Sequence, residues 1–129
     1  MKRTASTSPV QVSGGGVAHS GVHHWWTQRV SAVALLPLTI WFIVALLRLP
    51  DLSWASVHSW LAGPWSVLAM VMLVLALCWH SHLGVQVVIE DYVHGAATKT
   101  VALLAGFAHL AVAVTALLAV LRIALAANP

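Results

Sequence analysis

The sequence predicts an all-α membrane protein with three transmembrane helices, and three observations lead to this fold class. Hydrophobic residues make up 60% of the 129 residues. Only 7% of the residues are charged, whereas a soluble domain carries about 25% charged residues. The charged positions leave uncharged stretches of 18, 38 and 22 residues between them. This composition excludes an ordinary water-soluble enzyme, and its low charge also argues against a disordered chain.

A helix needs about 20 apolar residues to cross a hydrocarbon core of about 30 Å. The uncharged stretches therefore predict helices at about 26–47, 64–89 and 97–125. The longest stretch is divided near Pro64. Proline suits the first turn of a helix because a backbone N–H would have no intrahelical partner there, so its absence costs nothing. Pro37 falls inside the first helix, which membrane helices tolerate.

The three helices define a single predicted domain, a three-helix transmembrane domain at residues 25–129. Residues 1–24 form a polar segment rich in Ser, Gly and Thr. It lacks the apolar core of a signal peptide, so we expect no cleavage there. The solitary Cys78 lies in an apolar run, where a buried thiol is the simpler interpretation.

The distribution of Lys and Arg predicts the orientation of the chain, because cytoplasmic loops carry an excess of these residues. The side that holds the N-terminus carries four of them, and the other side carries two: Lys2, Arg3, Arg29 and Lys99 against Arg48 and Arg122. In the bacterial inner membrane, where we expect this multi-pass protein, the asymmetry predicts a cytoplasmic N-terminus; in the mitochondrial inner membrane, the alternative, it predicts a matrix N-terminus. The basic residues form no patch, so we expect no nucleic-acid partner.

Histidine is the unusual residue of this chain, which has eight of them and only three acids. His80, His82 and His109 lie within the predicted helices. Ionisable groups are costly inside a bilayer, so these residues are functional candidates. The alternative is a neutral imidazole that hydrogen-bonds to a neighbouring helix.

Helical geometry separates His80 from His82. At about 100° per residue, His80 shares a stripe with Gly84, Val87 and Asp91, while His82 points to the opposite side. A glycine one turn from an inward-facing histidine leaves room for a flat macrocycle, which favours His80 as an axial ligand of haem. Close helix packing is the alternative explanation for Gly84. His82 lies near Gln86 on its own stripe, which favours interhelical hydrogen bonding.

Two further pairs stand at the same predicted membrane face. Asp91 and Tyr92 end the second helix, where a carboxylate and a phenol can hydrogen-bond a quinone and relay protons. Ordinary interfacial residues are the alternative. Arg29 and His23 begin the first helix, where an arginine suits a haem propionate. The alternative for Arg29 is extension of its side chain to the lipid headgroups.

Together these residues resemble a known family. The segment from His80 to Tyr92 has the form H-x3-G-x6-D-Y, and it resembles the second helix of the small hydrophobic membrane anchor subunits of succinate dehydrogenase, respiratory complex II. Gly21-Val22-His23 followed by Arg29 is similar to the N-terminal entry of that family. Three helices in about 120 residues also match its size.

The resemblance implies a role for each of these residues. His80 corresponds to the axial ligand of haem b, whose second ligand lies on a cytochrome b subunit. Tyr92 corresponds to the tyrosine that hydrogen-bonds ubiquinone, and Asp91 to the acid before it. Arg29 and His23 correspond to positions near the haem propionates. His82, Glu90, His94 and His109 have no role that the resemblance supplies.

The resemblance also implies the function. The chain has no nucleotide-binding loop and no cysteine set for iron–sulfur clusters, so we expect it to be non-catalytic alone. It would anchor a flavoprotein subunit and an iron–sulfur subunit, and help to pass electrons from succinate to ubiquinone. The alternatives are an anchor of a quinol:fumarate reductase, another cytochrome b module, or a small non-redox membrane protein.

Overall fold

A computed structural model describes residues 15–126 of the chain, with side chains from Gly21 onward. This described part contains four α-helices and no strand: α1 (Gly15–Leu47), α2 (Trp54–Leu61), α3 (Pro64–Tyr92) and α4 (Ala97–Ala126). Helices α1, α3 and α4 are each long and apolar enough to cross a membrane. The predicted all-α fold class with three membrane-spanning helices is therefore confirmed.

Helix α3 is the central helix, because it packs against both α1 and α4. The connection from α3 to α4 is short, so the two helices run in opposite directions. It turns at Gly95, whose φ of +79° is the left-handed conformation that glycine adopts without a steric penalty. The hydroxyl of Thr98 then donates to the carbonyl oxygen of Val93 at 2.6 Å, which closes the turn.

The ends of α3 and α4 lie within three residues of the predicted ends. Helix α1 differs, since it begins at Gly15, eleven residues before the predicted start at 26. The predicted start was set by the apolar span alone. No proline or charged residue interrupts residues 15–25, so the helix extends beyond the span at its N-terminal end. Pro37 lies inside α1, which runs on through it. Residues 1–14 of the predicted polar segment lie outside the described residues.

The loop between α1 and α3 contains helix α2, which the sequence did not predict. The Ser53 side chain caps this helix by accepting from the backbone N–H of Ser56 at 3.3 Å. The Ser53 hydroxyl donates to Asp51 Oδ1 at 2.6 Å, and this bond is the main reason that the pKa of Asp51 is lowered. The Trp60 ring of α2 packs against Trp41 of α1 with ring centroids 5.9 Å apart.

Few side chains of the described part are buried within the chain itself. The buried apolar ones are Leu61, Leu73, Leu83, Ile89 and Val120. Many large apolar side chains on α1, α3 and α4 face outward instead. Such surfaces suit contact with lipid or with the helices of another membrane protein, and their exposure to water would be unfavourable. The chain is therefore a multi-pass membrane protein whose outer faces are available to partners.

Candidate functional site

His80 is fixed at the contact between α3 and α1. Its Nδ1 lies 3.0 Å from the hydroxyl oxygen of Ser31, across 49 residues of sequence. Ser31 is 8% exposed, and its hydroxyl also donates to the Gln28 carbonyl oxygen at 2.8 Å. The hydrogen bond to Ser31 therefore sets the orientation of the imidazole within the span.

The His80 ring also lines an open groove between α1 and α3. The groove has a volume of about 530 Å³, and its other lining residues are small or apolar: Ala32, Leu35, Leu36, Thr39 and Ile40. One turn further along α3, a Cβ added at Gly84 would meet no atom within 4 Å. Gly84 is therefore not needed for packing within the described part of this chain. The side of α3 that carries His80 has room for a group or a helix from outside.

His82 packs on the opposite side of α3, against α4. Its ring stands edge to face with His109 at a centroid distance of 5.4 Å. A Cβ at Gly106 would lie 3.6 Å from Cε1 of His82. The expected interhelical hydrogen bond of His82 is not formed by Nδ1, which is buried and has no hydrogen-bond partner among the described residues. Gln86 donates instead to Glu90 Oε1 within α3, at 3.0 Å.

Asp91 and Tyr92 lie at the end of α3, at the membrane face where the chain turns from α3 to α4. Both are exposed, and Tyr92 keeps 80% of its accessible surface. Tyr92 lies about 18 Å along the axis from His80 at 1.5 Å per residue. The phenol and the carboxylate are thus available to a molecule or subunit outside the chain. His94, just beyond the helix, is exposed as well.

Arg29 and His23 lie near the start of the membrane span in α1. The Arg29 guanidinium lies 4.5 Å from the centroid of the Trp25 ring, one turn earlier in the helix. This cation–π contact steadies a charged group that would otherwise sample many rotamers. His23 is exposed, and its backbone carbonyl oxygen accepts from the Thr27 hydroxyl at 2.7 Å.

The described chain does not gather the predicted site residues into one pocket. His80 contacts α1 through Ser31, whereas Arg29 lies about 200° around α1 from Ser31 at 100° per residue. Within the described residues, no group of three or more His, Cys, Asp or Glu side chains is arranged to hold a metal ion. These residues therefore do not form one complete site within the described part of the chain.

Ser31 is the functional candidate that the sequence analysis missed. The signal for it was a hydroxyl residue in the largely apolar stretch that follows Arg29, where Thr39 is the other hydroxyl residue. A hydroxyl in the hydrocarbon region needs a hydrogen-bond partner, which is either a carbonyl oxygen of its own helix or a polar group on a neighbouring helix. Which helix supplies the partner depends on packing, so the pairing with His80 was visible only in the fold.

Comparison with known proteins agrees with this architecture. Residues 2–120 match the family described as succinate dehydrogenase/fumarate reductase transmembrane subunit. The succinate dehydrogenase hydrophobic membrane anchor subunit of Paracoccus denitrificans is 33% identical over 105 residues, which cover 79% of this chain and 81% of that protein. That of Rickettsia conorii is 35% identical over 85 residues, covering 65% and 68%.

A relative named succinate dehydrogenase membrane anchor subunit, from Reclinomonas americana, is 31% identical over 87 residues, covering 65% of this chain and 72% of the relative. The family match covers the first two membrane helices and extends to residue 120 of the third. The chain therefore belongs to the succinate dehydrogenase/fumarate reductase transmembrane subunit family, as a membrane anchor subunit.

Proposed function

We propose that this chain, with a cytochrome b subunit, forms the haem b site and part of the ubiquinone site of a bacterial succinate dehydrogenase. In the same proposal it anchors the flavoprotein and iron–sulfur subunits on the cytoplasmic face, where its N-terminus lies. The relatives' names favour succinate oxidation over fumarate reduction. The observation that carries the haem assignment is His80, held by Ser31 beside an open groove.

The residues around His80 fit a haem. An imidazole nitrogen is a standard axial ligand of haem iron, and the Nδ1 contact to Ser31 leaves Nε2 for that purpose. The groove presents apolar side chains, which suit a macrocycle, and Gly84 adds open space one turn away. When bound, haem b supplies one-electron transfer. The chain's own contribution is to orient the ligand and to exclude water.

Arg29 and His23 complete this proposal at the membrane face. Arginine presents a planar fork of donors that matches a carboxylate in a bidentate manner, so Arg29 suits a haem propionate. Trp25 stacks beneath the guanidinium and thereby limits its motion. His23 is exposed at the same end of the span and is available to a second carboxylate. In this proposal both residues become buried when the cytochrome b subunit binds.

Tyr92 and Asp91 serve ubiquinone in the same proposal. The Tyr92 phenol donates a hydrogen bond to a quinone carbonyl oxygen, which orients the ring and polarises it towards reduction. Asp91 is the adjacent proton acceptor and donor for the relay from the cytoplasmic side. Their exposure in the chain supports a pocket that is completed by other subunits.

His80→Ala in the purified complex tests the haem assignment, and His82→Ala is its matched control. Both changes remove an imidazole from α3, but only His80 faces the α1 groove, whereas His82 packs against α4. We expect the b-type band in the reduced-minus-oxidised spectrum to disappear in His80→Ala and to persist in His82→Ala. A band that survives His80→Ala would reject the assignment.

Tyr92→Phe tests the quinone assignment by removing the hydroxyl and keeping the ring. Ubiquinone reduction should fall, while succinate oxidation by a soluble dye should continue, since the dye takes electrons before the membrane subunits. Trp65→Phe, an exposed aromatic change at the opposite end of α3, should leave both activities intact. Equal loss of both activities in Tyr92→Phe would reject this role.

A further inference from the structure

Ser31 is a buried polar side chain in an apolar span, and its contacts are unusually informative. Its oxygen lies within hydrogen-bond distance of two atoms, the Gln28 carbonyl oxygen at 2.8 Å and the His80 Nδ1 at 3.0 Å. A serine hydroxyl has one hydrogen to donate, together with two acceptor lone pairs. The two contacts therefore determine where the protons lie.

The Gln28 carbonyl oxygen can only accept, so the Ser31 hydrogen is directed to it. If that hydrogen pointed at His80 instead, two oxygens would face each other at 2.8 Å with no hydrogen between them. Ser31 Oγ thus accepts from the N–H at Nδ1 of His80. A neutral His80 consequently carries its proton on Nδ1 and an unprotonated lone pair on Nε2.

We propose that Ser31 is a positioning residue that holds His80 in the tautomer able to bind haem iron through Nε2, and that it tunes the electron donation of the ring. This inference rests on the proposed haem function. A metal-binding histidine is commonly oriented by a hydrogen bond from its other ring nitrogen, and that bond raises the basicity of the ligand. In the hydrocarbon region no water competes for the Nδ1 proton.

The tuning has a defined direction. An acceptor on Nδ1 gives the imidazole more imidazolate character, so the ring donates more strongly to iron and favours the ferric over the ferrous state. Loss of the acceptor therefore raises the midpoint potential of the haem. It also frees the ring to rotate and to change tautomer, and loss of such an orienting partner typically weakens metal binding about 10- to 100-fold.

The experiment compares Ser31→Ala with Ser81→Ala in the purified complex. The control also removes a hydroxyl in contact with a histidine, because Ser81 Oγ lies 3.1 Å from Nε2 of His109 on the other side of α3. Redox titration of the haem band and the rate of haem loss to a haem-scavenging protein are the readouts. We expect a raised midpoint potential and haem loss at least about 10-fold faster in Ser31→Ala, and wild-type values in Ser81→Ala.

Two further variants each keep one property of the serine side chain, either its size or its hydroxyl group. Ser31→Cys keeps the shape but is a weaker acceptor, so its potential should shift upward by less than that of Ser31→Ala. Ser31→Thr keeps the hydroxyl and should retain the wild-type potential. A Ser31→Thr potential shifted as far as that of Ser31→Ala would overturn the inference.

The outcome separates this inference from the function on which it rests. If His80→Ala loses haem while Ser31→Ala keeps the wild-type potential and the wild-type haem retention, only the role of Ser31 is overturned. Haem retained in His80→Ala would overturn the ligand assignment itself, and the role of Ser31 with it.

Discussion

Nε2 of His109 on α4 lies 3.1 Å from the hydroxyl oxygen of Ser81 on α3. Nδ1 of the same ring lies 2.8 Å from the Ala105 carbonyl oxygen and donates a hydrogen bond to it, so Nε2 of a neutral His109 accepts a hydrogen bond from the Ser81 hydroxyl. Both nitrogens of His109 are therefore engaged within the chain. His80 also contacts a serine but leaves Nε2 without a hydrogen bond to a described residue. This difference marks His109 as structural and His80 as a ligand candidate.

A double-mutant cycle on Ser81 and His109 tests the structural role. Ser81→Ala and His109→Phe each remove one side of the interhelical hydrogen bond. Such bonds in membrane proteins contribute about 0.6 kcal/mol on average, so we expect a coupling energy of that size in the free energy of unfolding in bicelles. Additive effects of the two changes would show that the contact contributes nothing. The haem content of the complex should be unchanged in Ser81→Ala.

Arg29→Gln should weaken haem retention in the complex if Arg29 binds a propionate, because the amide carries no charge. Arg29→Lys should weaken it less, since lysine keeps the charge but loses the planar fork that stacks on Trp25. Arg48→Gln is the control, because Arg48 follows the opposite end of α1. The rate of haem loss measures the effect. Equal acceleration in Arg29→Gln and Arg48→Gln would reject the assignment.

How much of the fold the sequence predicts depends on which structural constraints act within a single helix. The thickness of the bilayer sets the length of a span, so the three long helices were predictable from apolar runs alone. The stripe of His80 and Gly84 was likewise a property of one helix. The pairing of Ser31 with His80 depends on which faces of α1 and α3 meet, and this requires packing. His82 contacts His109 of α4 through its ring, but its Nδ1 forms no interhelical hydrogen bond with a described residue, and Gln86 bonds to Glu90 within α3.

Helix α2 escaped prediction because its stability depends on a cap outside the apolar pattern. The sequence predicts helices only where an apolar stretch is long enough to cross a membrane, so residues 54–61 fall between the first two predicted helices. The Ser53 cap and the contact of Trp60 with Trp41 stabilise a short helix there. Tyr92 and Asp91 illustrate the other limit, since their surroundings in a complex depend on residues of other chains.

The Asp51–Ser53 contact predicts a pH dependence of α2. The folded-state pKa of Asp51 lies below its ordinary value of 3.8, chiefly because the Ser53 hydroxyl donates to the carboxylate. The carboxylate therefore stabilises the folded cap at pH values above 3.8 and loses this effect as the pH falls through the lowered pKa. Amide exchange in α2, corrected for the intrinsic rate, should accelerate over that range.

Two variants check this origin. Asp51→Asn should remove the pH dependence while leaving α2 in place, and an unchanged pH dependence in it would assign the effect to another group. Ser53→Ala removes the cap itself, which should destabilise α2 by about 1 kcal/mol at neutral pH and accelerate exchange of the Ser56 amide most.

Gly84 and Gly106 predict opposite responses to a large side chain on the two faces of the α3–α4 pair. Gly84→Leu adds its side chain where a Cβ meets no atom of the described chain, whereas Gly106→Leu adds it 3.6 Å from Cε1 of His82. Gly84→Leu should therefore leave the thermal stability of the chain in detergent unchanged or higher, because leucine is the better helix former. Gly106→Leu should lower it by separating α3 from α4. In the assembled complex the two variants should rank in the opposite order by haem content. Gly84→Leu should lose haem because the added side chain occupies the space beside His80. Full haem content and normal subunit assembly in Gly84→Leu would show that this face of α3 contacts lipid instead.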